Sequence, residues 1–148
     1  MNYPVQSILY AYVLAFCFIH VLYVYLLNIP FYVTNEKPLV DLYYKTNYSS
    51  NLILDVFLIG LYLAITEIIV RVSKLEKMHY KILLCLAVTL CISGAFYYYF
   101  ISRPVQSDFF SKWFHTVGFN AVYYDLILVT SVYGVYLWLF SIFHDVVK

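Results

Sequence analysis

The stretch NLILDVFLIGLYLAITEIIVRV, Asn51 to Val72, decides how this chain is read. As a helix rising about 1.5 Å per residue, it is long enough to cross a hydrocarbon layer of about 30 Å. Asp55 and Glu67 interrupt it, and Arg71 stands at its end. A charge at the bilayer centre costs roughly 2.5–3.5 kcal/mol, so the depth of each acid matters. Asp55 falls about one turn into the run, where the helix dipole favours an anion. Glu67 stands four residues before Arg71, the spacing of an i, i+4 ion pair. Neither acid has to lie deep, and the stretch reads as a membrane helix.

Working outward, three more apolar runs of similar length appear, and the spans are predicted over about 8–27, 52–70, 82–101 and 121–140. A backbone in lipid must satisfy its own hydrogen bonds, which helices do within one segment. The alternation of a barrel strand is absent. The composition agrees: 64% hydrophobic and 11% charged, against about 45–50% and 25% for a soluble domain. A soluble fold of 148 residues cannot hide that much apolar surface. The expectation is an all-α bundle of four transmembrane helices, one integral membrane domain over 1–148.

Function classes fall away next. A net charge of +1 leaves no basic stripe for nucleic acid. No dinucleotide, P-loop, zinc-protease or EF-hand motif is present. Cys17, Cys85 and Cys91 lie inside apolar runs without redox or zinc spacing, and read as buried free thiols. The N-terminal MNYPVQS lacks a basic n-region, so the first run is expected to be a retained helix. Neither an enzyme nor a cofactor is indicated.

The connections carry more. Pro30 is expected to stop the first span and Pro104 the third. Ser73 to Lys81 forms a tight polar hairpin on one side, called face A, together with both termini; the two longer loops lie on face B. Arg71, Lys74, Lys77, Lys81 and Lys148 belong to face A, and Lys37, Lys45, Arg103 and Lys112 to face B. The concentration in the 71–81 hairpin points to face A as cytoplasmic. Asn47, in an NYS sequon on face B, is a glycosylation candidate that fits a lumenal loop.

The second face-B loop reads SDFFSKWFHTVGF. Phe109, Phe110, Trp113, Phe114 and Val117 make one helical stripe, Ser107 or Asp108 can cap its start, and Gly118 can end it. A short helix over about 108–117 is expected to lie flat in the interface, its aromatics turned to lipid or to a protein partner. KPLVDLYYK is a weaker copy in the first loop, with Pro38 at the first helical position. Tyrosines crowd the same face, among them Tyr32, Tyr43, Tyr44, Tyr98 and Tyr124, as an interfacial belt or a docking surface.

Counting along the helices puts His20, Asp55 and Asp125 at one level near face B. The bland reading is helix fastening by hydrogen bonds to tyrosines, Asn51, Asn120 or His20. The sharper one is a proton relay or metal site, in a small redox or proton-handling subunit associated with haem, metal or quinone. Two histidine pairs on opposite faces suit a di-haem cytochrome, but axial ligands sit within the bundle and only His20 does. Ser93 and Ser131 read as close-packing residues. A faint repeat relates the halves through Gly60–Leu63 and Gly134–Leu137, which implies parallel helical hairpins.

WFHTVGFNAVYYDLILV, Trp113 to Val129, has an aromatic segment, a glycine, an asparagine and then Tyr-Asp opening the last span. In this it resembles small multi-pass proteins of nucleocytoplasmic large DNA viruses. The resemblance implies a virion inner membrane or the host endoplasmic reticulum, and capsid-type partners. The expected function is structural: organising a bilayer or linking it to an overlying protein assembly, with homo-oligomers allowed. A channel or transporter would require an oligomer.

Overall fold

The computed structural model describes residues 5–146, with side chains as far as residue 143. Lys148, assigned above to face A, and the side chain of His144 lie outside the described residues.

Four long helices form the bundle. They are α1 (Val5–His20, prolonged by a π-helical stretch Val21–Leu26), α4 (Tyr48–Val72), α5 (Met78–Ile101) and α7 (Asn120–Val146). Each contains a stretch of 22 to 25 residues long and apolar enough to cross a membrane. The chain is thus built as a multi-pass membrane protein. Three of the helices start one to four residues before their apolar runs, at Tyr48, Met78 and Asn120. Helical hydrogen bonding continues through the polar flanks, whereas hydropathy marks only the apolar part.

Short helices make up the face-B connections: α2 (Ile29–Thr34), α3 (Lys37–Asp41, followed by a π-helical turn Leu42–Thr46) and α6 (Phe109–Val117). Here one expectation needs correcting. Pro30 does not end the first span; it is in the first turn of α2. The break comes at Asn28, in the left-handed conformation with φ +53°. Asparagine tolerates that conformation, and proline in a first helical turn gives up an N–H that has no helical acceptor. Pro38 opens α3 in the same way. Pro104 lies beyond the end of α5, as expected.

The last helix is the hub. α7 packs along both α1 and α5, and α4 packs chiefly on α5. Val122, Val129, Val132 and Tyr133 of α7 are 0–1% exposed. Ala11 and Ala15 of α1 are fully buried. Their i, i+4 spacing gives a small-residue strip that lets two backbones approach. Tyr12, between them, donates its hydroxyl to the carbonyl of Val56 in α4. That hydroxyl lies over Gly60, where an added Cβ would come within 3.3 Å of it. Within the second half α5 and α7 pack along each other, whereas in the first half α1 packs chiefly on α7 rather than on α4.

Outward faces are apolar. Phe57 is 73% and Trp138 60% exposed, surface that a bilayer covers. All three cysteines are free, but only Cys85 is buried; Cys17 and Cys91 are on the outer surface, so their expected burial fails. An apolar run does not reveal which of its sides turns inward.

Candidate functional site

The site is built from the face-B cap downward. Asp108 caps α6: its Oδ1 accepts the Ser111 N–H at 2.9 Å. Gly118 ends the helix at φ +64°, a conformation that favours glycine. His115 Nε2 is 3.0 Å from the Phe100 carbonyl and 3.1 Å from that of Arg103. Carbonyls only accept, so Nε2 carries the proton and covers the open end of α5.

These ties turn the aromatic stripe of α6 onto the bundle. Trp113, Phe114 and Val117 are buried, and Phe109 and Phe110 are half-buried. Phe114 stacks on Phe100 with centroids 5.3 Å apart, and Tyr43 meets Phe109 at 5.0 Å. The stripe expected to face lipid or a partner therefore roofs its own chain. The short 102–108 link folds α6 back over α5, and the rings find packing partners there that lipid does not offer. The tyrosine belt divides likewise: Tyr43, Tyr44 and Tyr124 are buried, while Tyr32 and Tyr98 are exposed.

Beneath this roof lies a cavity of about 250 Å³ between α4, α5 and α7. Asp55 and Asp125 both line it, at the common level expected. Asp55 is 8% exposed. Its Oδ1 accepts the Tyr43 hydroxyl at 2.6 Å, and its Oδ2 has no hydrogen-bond partner. Asn51 Nδ2 donates to the Tyr43 carbonyl at 3.0 Å and holds the π-helical turn above the acid. Asp125 Oδ2 accepts from Ser93 Oγ at 2.6 Å. Ser93 has one hydroxyl proton, so the 3.0 Å contact with Tyr62 has the tyrosine as donor. Tyr44 and Tyr124 share a hydrogen bond of 2.7 Å beside them. Burial pushes the Tyr43 and Tyr44 phenols well above their ordinary range, and the Asp55 charge adds to this. Both phenols stay protonated at neutral pH and act as neutral donors or acceptors.

His20 does not join the carboxylates. It is buried, with its ring stacked on Phe16 at 5.3 Å and edge-on to Tyr44 at 5.7 Å. Neither ring nitrogen has a hydrogen-bond partner. Tyr44 touches His20 on one side and bonds Tyr124 on the other, so it separates the histidine from the acids. The expected three-residue cluster resolves into two carboxylates and a separate imidazole. Among the described residues, no three His, Cys, Asp or Glu side chains are placed to hold a metal ion.

Glu67 serves the other end of the bundle. Its Oε1 accepts the Tyr133 hydroxyl at 2.8 Å, while Arg71 Nε stands 4.0 Å from Oε2. The bond to α7 is the close one, because Arg71 reaches outward and is largely exposed. Asn47 is exposed at the start of α4.

Reasoning from sequence missed Ser93, Ser131, Tyr62 and Tyr133 as bonding partners; Ser131 pairs with Tyr23 at 2.7 Å. Counting residues from the face-B helix ends, which places Ser93 near the level of Asp125, is the signal that would have found it. Comparison with family models, with curated proteins and with solved structures returned no match.

Proposed function

We propose that the chain is a structural, non-enzymatic membrane protein whose face-B cap links a bilayer to an overlying protein assembly. The observation that carries this reading is the construction of the cap. Two connections that a spanning bundle could leave as loops are folded into short helices with a shared aromatic interior. Their outer side keeps Tyr32, Lys37, Lys45, Arg103, Val105 and Lys112 exposed. Tyr32 and Arg103 are of the residue types enriched at protein contacts, and the lysines suit a polar rim around them. A virion inner membrane beneath a capsid shell, with this chain as a minor component, is the setting that the Trp113–Val129 resemblance adds.

The test is photo-cross-linking in native membranes from probes replacing Tyr32 and Lys112, with Lys77 on face A as reference. The expected result is a protein adduct of discrete mass from face B alone. Adducts at twice the chain mass would identify a second copy as the partner. If all three positions capture only lipid, the reading fails.

A further inference from the structure

The cavity beneath the cap is not needed to hold a contact plate together, and its chemistry is specific. We propose that it binds a lipid-soluble organic ammonium, a single protonated amine on an apolar body, with the nitrogen on Asp55 Oδ2. This goes beyond the structural reading and does not depend on it.

Three observations select this ligand. The first is the free acceptor. Asp55 is more than nine-tenths buried and lines the cavity, yet its Oδ2 has no donor. Buried polar atoms are nearly always bonded, so an orphan facing a cavity points to a missing donor.

The second is charge. The wall carries two carboxylates and no lysine, arginine or histidine. A phosphate or carboxylate ligand would meet only like charge. A bare divalent cation would require several oxygen ligands, and no metal-holding group of side chains is present among the described residues. One ammonium needs a single strong acceptor and a neutralising charge, and both are there.

The third is the lining. Aromatic side chains make up ten of the seventeen lining residues, counted from the residues that enclose the cavity. Ring faces attract cations and also pack against an apolar body. A volume of about 250 Å³ lies below the usual range for drug-sized ligands, so the ligand is small. Phe96, which lines the cavity, is 43% exposed on the outer flank of α5, so the lining reaches the lipid-facing surface. A phosphatidylethanolamine headgroup shares the ammonium, but its phosphate would have no cation to meet inside.

The experiment uses the full chain in phosphatidylcholine nanodiscs, with Trp138→Phe removing the exposed second tryptophan. Trp113, which lines the cavity, then reports alone. The probe is 2-phenylethylamine at neutral pH, and the control is 2-phenylethanol, of the same shape without charge. The amine is expected to change Trp113 emission saturably, and the alcohol to bind at least about tenfold more weakly. Asp55→Asn should cost the amine about tenfold and leave the alcohol unchanged. Leu58→Phe, which puts a larger side chain into the cavity and leaves both acids in place, should weaken amine binding. Tyr43→Phe frees the other Asp55 oxygen and should not weaken the amine. Should Asp55→Asn fail to fold, the last two variants still decide. Equal binding of amine and alcohol, amine binding unchanged by Asp55→Asn or Leu58→Phe, or no saturable binding overturns the proposal. Competition from added phosphatidylethanolamine would assign the site to a lipid headgroup and also overturn it.

Discussion

At the face-B end, long connections fold into short helices over the bundle; at the face-A end, α4 and α5 are joined by a bare turn through Ser73–Lys77. The acids beneath these two ends are handled differently. Asp55 and Asp125 lie under the roof, and their donors are hydroxyls, from Tyr43 and Ser93. Glu67 lies near the open rim, with a tyrosine from α7 on one oxygen and Arg71 standing off the other. Under the roof the chain itself supplies only neutral hydroxyl donors to the acids, whereas the cation near Glu67 stands at the rim. At an uncovered rim the cation remains, reaches outward and contributes little. Hydroxyl bonds and close packing hold such helices together, because lipid provides no hydrophobic force between them.

Three substitutions break or sharpen this contrast, each read as unfolding free energy in lipid or detergent. Trp113→Ala removes the centre of the roof and is expected to destabilise by about 3–5 kcal/mol, the usual cost of truncating a buried large aromatic. A loss below about 1 kcal/mol would mean that the cap is an ornament on a bundle that stands without it. Ser93→Ala leaves Asp125 Oδ2 without its donor and Tyr62 without its acceptor. The expected cost is about 1–3 kcal/mol, and pairing it with Asp125→Asn in a double-mutant cycle should show strong coupling. Additive losses would show that the two residues do not act together. Arg71→Ala at the open end is expected to cost no more than about 0.5 kcal/mol, and less at high salt. A larger effect would erase the distinction between the ends.

Several features follow from local chemistry, and these were legible. An apolar run of the right length becomes a spanning helix wherever it stands, so four spans could be counted. Asp108 and Gly118 mark the ends of α6 because capping acts within a few residues. Even the common level of Asp55 and Asp125 follows from counting along helices. The direction in which each helix turns does not. A span surrounded by lipid is apolar on every side, so no polar face shows which side meets a neighbour. The aromatic stripe of α6 was visible, but whether lipid or protein would cover it was not.

Rotation and partner choice rest on contacts between residues far apart in the chain. Ala11 and Ala15 let α1 close on α7, Gly60 admits the Tyr12 hydroxyl, and Ser93 meets Asp125. Tyr44 comes between His20 and the acids by the same long-range packing. By itself the sequence determined the number of spans, their apolar stretches and the capped helix above them, since hydropathy and capping act over neighbouring residues. Only the tertiary structure decided that α7 is the hub, that the roof faces inward and that one carboxylate oxygen is left free, since in lipid these depend on which small and polar side chains meet across the bundle.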